Sequence, residues 1–87
     1  MKIKEGFVLR EVAGNYIVVA VGSGVKTFNG MIQLNDTGAL LWKQLEQGAE
    51  KDQLVDAMIK EYNVEKSVAE CDVDEFIGSL KEANLLK

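Results

Sequence analysis

The hydrophobic period of this chain changes at Asn35–Asp36 and does not change back. Before that point, β-branched and alternating runs are separated by Gly6, Gly14, Gly22, Gly24 and Gly30. Beyond it, apolar residues step by one, three and four. A chain divided in this way forms strands first and helices second, an α+β order in which helices cover one side of a small antiparallel sheet. Its 87 residues amount to one domain, spanning 1–87.

Phe7 to Val12 reads as a strand, Gly14-Asn15 as a turn signal, and Tyr16 to Val21 as a β-branched second strand, giving a hairpin. Gly22-Ser23-Gly24 ends it. Lys26 to Leu34 reads as a third strand, with Phe28, Ile32 and Leu34 on one face and Asn29, Met31 and Gln33 on the other. Asn35 or Asp36 then caps a helix over Thr37 to Gln47, closed by Gly48. A second helix is expected from about Glu50 to Tyr62, with Ala49 a poor cap for its start. A third is expected from about Lys66 to Asn84, with Ala69, Val73, Phe76, Ile77 and Leu80 on one face. The expected order is β-β-β-α-α-α.

Composition excludes several functions. Histidine is absent and Cys71 is the one cysteine, so an internal disulfide and a zinc site of the usual ligands are excluded. Cys71 has no histidine to take its proton, so it reads as a non-catalytic thiol. Gly22-Ser23-Gly24 lacks the lysine and following helix of a phosphate loop. No cofactor is expected. The longest apolar run, Tyr16 to Val21, is too short to span a bilayer, and the first residues lack a signal-peptide pattern, so a cytoplasmic protein away from membranes is expected. The net charge of −4 is uneven: residues 35–87 carry twelve acids against six lysines. Nucleic-acid binding needs a basic face, and none is present. Glu65, Glu70, Asp72, Asp74, Glu75 and Glu82 form either a solvated surface or a docking surface for basic peptide residues.

Two stretches, Leu34-Asn35-Asp36-Thr37-Gly38-Ala39-Leu40-Leu41-Trp42 and Cys71-Asp72-Val73-Asp74-Glu75-Phe76-Ile77 followed by Leu80, resemble the PqqD-like family. The likeness runs from Phe7 to Leu86. It implies a winged helix-turn-helix-like fold and a non-enzymatic role as a peptide chaperone. Such a protein holds the leader of a ribosomally made precursor peptide and presents it to a modifying enzyme, often a radical S-adenosylmethionine (radical SAM) enzyme. The pathway is pyrroloquinoline quinone (PQQ) biosynthesis or that of another modified peptide. Where the founding subgroup carries Pro-Glu after its second strand, this chain has Gly22-Ser23-Gly24-Val25.

The expected mechanism is strand addition. The third strand lies at a sheet edge, so an extended peptide can pair with Thr27, Phe28, Asn29, Gly30, Met31, Ile32 and Gln33. The resemblance places the accompanying side-chain groove between this strand and the third helix. On that helix Asp74, Ile77 and Lys81 are the candidate contacts. Met31 either lies under a neighbouring helix or meets the peptide, since methionine adapts to varied partners. Trp42, in register with Leu41 and Leu45, reads as core. Gly78 reflects either drift or a close backbone approach. An exposed edge strand is compatible with a monomer or a homodimer. A winged-helix DNA-binding regulator is the alternative, weakened by the acids of the third helix.

Overall fold

A computed structural model describes residues 1–22, 24–27 and 31–87. The elements are β1 (Phe7–Val12), β2 (Asn15–Ala20), α1 (Gly24–Thr27), β3 (Met31–Leu34), α2 (Asp36–Gln47), α3 (Lys51–Tyr62) and α4 (Lys66–Glu82). The strands form one antiparallel sheet in the order β1-β2-β3, followed by the three long helices. The expected α+β architecture is present.

The hairpin loop is Ala13-Gly14, with φ of 52° and 81°. Two consecutive residues at positive φ make the type I′ loop, whose twist matches that of the flanking strands. Its geometry sets the bonding of the whole sheet. A two-residue loop makes Val12 and Asn15 a hydrogen-bonded pair, and bonded and unbonded pairs alternate from there. Asn15, Ile17 and Val19 therefore turn their backbone groups toward β1, and Tyr16 and Val18 turn theirs toward β3. Tyr16 pairs with Leu34, and Val18 with Ile32. It follows that Ile32 and Leu34 bond inward, while the N–H and C=O groups of Met31 and Gln33 face the outer edge.

The third strand is shorter than the sequence pattern suggests. Lys26 and Thr27, expected in an extended run, belong to the single helical turn α1. Phe28, Asn29 and Gly30 lie outside the described residues. The cause is a contact remote in sequence: Gly24 packs directly on Gly6, and a Cβ on Gly24 would collide with the Gly6 backbone. The Val21 N–H donates to the Gly6 carbonyl at 2.8 Å, and the Gly24 N–H to the Val21 carbonyl at 3.0 Å. These bonds turn the chain after β2 before it can run straight back.

The core lies between the sheet and the helices. Val18 of β2 belongs to one core with Leu41, Trp42 and Leu45 of α2, Leu54, Val55 and Met58 of α3, and Ala69, Val73, Ile77 and Leu80 of α4. Trp42 is wholly buried, as expected. α3 starts from Glu50, not Ala49, and its start is held: the Glu50 N–H donates to the Gln53 side chain at 2.8 Å. Ala49 is instead buried. α4 ends at Glu82, and Asn84 follows in the left-handed region at φ 61°. Beyond it, an Ile3–Leu86 bridge ties the two ends of the chain together. No helix among the described residues is long and apolar enough to cross a membrane.

Candidate functional site

The Leu34-Asn35-Asp36-Thr37-Gly38 stretch converts a strand into a helix within one residue. Leu34 ends β3 half-buried. Asn35 is extended and its Oδ1 accepts the Gly38 N–H at 2.8 Å, satisfying one of the open amides of the first helical turn. Asp36 puts a negative charge beside the positive end of the helix dipole. Gly38 is there for space. A Cβ at this position would lie 3.2 Å from Asn35 Oδ1, 3.3 Å from Leu34 Cβ and 3.4 Å from the Phe76 ring. The missing side chain lets the start of α2 approach α4.

A groove of about 280 Å³ opens where these elements meet, at the end of β3. One wall is Asn35, Thr37, Gly38 and Leu41. The other is Asp72, Glu75, Phe76 and Ser79 of α4. The steps from 72 to 75, 76 and 79 put these four residues on one helical face. Leu41 is buried beneath the groove and Phe76 is half-buried, so the Phe76 ring is the apolar surface that the groove offers. Asp72 and Glu75 are exposed along its rim. The Ser79 hydroxyl donates to the Glu75 carbonyl at 3.0 Å.

The structure separates the residues expected on α4 from this groove. Ile77 is a core residue, 8% exposed. Asp74 faces α3, where its carboxylate pairs with Lys51 Nζ at 2.8 Å. The hydrogen bond that Lys51 Nζ donates to Asp74 is the main cause holding the Lys51 ammonium above its usual pKa. Lys81, seven positions after Asp74, shares that flank. Periodicity finds the buried stripe of α4 except at Phe76, which is half-buried on the groove flank with Asp72, Glu75 and Ser79. The signal is in the sequence, because every groove residue except Ser79 comes from the two stretches that carry the family resemblance.

On β3, Ile32 is half-buried toward the helices, whereas Met31 and Gln33 are exposed on the opposite face. Met31 is 70% exposed, so no helix covers it. Val8 and Val19 share its cross-strand row. Among the described residues no fourth strand pairs with β3, so the outward groups of Met31 and Gln33 have no strand partner. Thr27 lies in α1, outside the strand. Among the described residues no cluster of three or more His, Cys, Asp or Glu side chains could hold a metal ion. The exposed acids of α4 also give a poor counterpart for nucleic-acid phosphates, so nothing supports the DNA-binding alternative.

Comparison with known proteins agrees with this geometry. The family model for coenzyme PQQ synthesis protein D (PqqD) matches residues 7–86. A solved structure of TbiB1 in complex with the TbiA(beta) leader peptide superposes with a TM-score of 0.78 at 26% sequence identity. The match covers 100% of this chain and 95% of that one. Lasso peptide synthetase B1, complexed with the leader peptide, superposes with a TM-score of 0.74, also at 26% identity. That match covers 97% of this chain and 93% of the other. No curated protein matches the sequence significantly.

Proposed function

Because this chain belongs to the PqqD family, we propose that it is a non-catalytic module that binds the leader of a ribosomally synthesised precursor peptide. The leader pairs in extended form with the open edge of β3. Backbone bonds to Met31 and Gln33 supply sequence-independent affinity. Leader side chains on the helical side enter the groove between the β3–α2 junction and α4, where shape and charge supply selectivity. The chain then presents the precursor to a modifying enzyme, with a radical SAM enzyme as the expected partner. The pathway is PQQ biosynthesis or that of another modified peptide. Acting on newly made precursors places the protein in the cytoplasm.

The observation that carries this reading is the unpaired edge of β3, which runs toward a groove that holds the half-buried Phe76 ring. Two structural neighbours that span nearly the full chain are themselves leader-peptide complexes. Calorimetry with a precursor from the same gene neighbourhood tests the proposal. The full precursor and its isolated leader should bind alike, and the precursor without its leader should not. Equal binding of the leaderless precursor, or binding of neither form, would overturn the reading.

A further inference from the structure

Asp72 and Glu75 are one helical turn apart, so their carboxylates share one rim of the groove. Among the described residues the lining holds no lysine or arginine. Among the described residues neither acid has an ion-pair partner. The four lysines of α3 and α4 do not supply one: Lys51 is engaged by Asp74, Lys81 shares that far flank, and Lys60 and Lys66 line other grooves. The residues that precede β3, Phe28, Asn29 and Gly30, carry no charge. Like charges one turn apart are unfavourable on a helix, and a cation on the rim relieves that repulsion. The groove therefore joins one apolar surface, the Phe76 ring, to an uncompensated acidic rim, just past the end of the open strand edge.

An extended peptide alternates sides, so its residues i and i+2 face the same way about 6.6 Å apart. The rise along a helix from Asp72 to Phe76 is about 6 Å. A peptide with an apolar side chain over Phe76 thus brings its next side chain on that face within reach of the acids. We propose that the leader this chain selects carries an apolar or aromatic anchor with a lysine or arginine two residues away. This rests on the strand-addition reading above, and it adds the class of sequence recognised.

The test is a selection of random twelve-residue peptides, displayed on phage, against the wild-type chain. It is repeated with D72N/E75Q and D72K/E75K, both exposed positions, after circular dichroism has confirmed the fold. Binders are mapped by amide chemical shifts. The inference predicts groove-directed peptides enriched in the anchor-x-Lys/Arg pattern. Neutralising both acids should weaken them about fivefold, as expected for two exposed ion pairs. Charge reversal should select aspartate or glutamate at the same place. Peptides that shift Met31–Leu34 and α4 but show no basic preference, and bind D72N/E75Q equally well, would overturn the inference and leave the strand-addition reading standing. Failure to recover any peptide that shifts those amides would overturn both.

Discussion

Proline substitution distinguishes the two bonding sides of β3. The hairpin register turns the Gln33 N–H outward and the Ile32 N–H toward Val18. Gln33→Pro removes an outward donor and leaves the ladder to β2 whole, so it should cost about 1 kcal/mol or less in stability. Ile32→Pro removes a ladder bond and strands the facing carbonyl of Val18, a residue only 1% exposed. That change should cost about 2–4 kcal/mol from the lost bond and the unsatisfied group together. For a bound leader the order reverses in importance. Gln33→Pro deletes one intermolecular bond, worth roughly 1 kcal/mol, and leaves the peptide carbonyl opposite it facing a pyrrolidine ring, at about 1 kcal/mol or more. The sum corresponds to a loss of affinity of about thirtyfold. Urea denaturation and calorimetry on the two variants read both effects. A folded Gln33→Pro protein that binds its leader as tightly as wild type would refute strand addition and leave the α4 groove alone as the binding surface.

Three further substitutions test the packing that builds the site. Trp42→Ala should destabilise the domain by about 3–5 kcal/mol in a denaturation experiment, because the indole is wholly buried. Gly78→Ala should stabilise it by about 0.5–1 kcal/mol, because a Cβ there meets nothing within 4 Å and the helix gains a better former. Gly38→Ala should shift the Phe76 ring resonances and give none of the gain expected at Gly78, because crowding in the contact between α2 and α4, about 1 kcal/mol or more, offsets the better helix former.

Much of the fold was legible because its signals are local. The hairpin follows from Gly14 between two β-branched runs, and α2 from Asn35 ahead of an apolar stripe. What escaped was set by contacts distant in sequence. Lys26 and Thr27 fit an alternating pattern, yet packing of Gly24 on Gly6 turns them into a helical turn. On α4 the buried stripe through Ala69, Val73, Ile77 and Leu80 is periodic, but its two flanks look equivalent in sequence. The approach of Phe76 to Gly38 and the pairing of Asp74 with Lys51 decide which flank faces the groove. Asp74 and Lys81 are both exposed and polar, but they sit on the side of α4 turned away from the groove.

Residue-resolved hydrogen exchange of β3, with and without bound leader, measures strand addition most directly. In the free protein the N–H groups of Ile32 and Leu34 should be protected by β2, while those of Met31 and Gln33 should exchange freely. Leader binding should slow exchange at Met31 and Gln33 and leave Ile32 and Leu34 nearly unchanged, a two-residue alternation produced by a new strand on the open edge. Protection confined to α4, or slowed exchange at all four residues without alternation, would contradict the account.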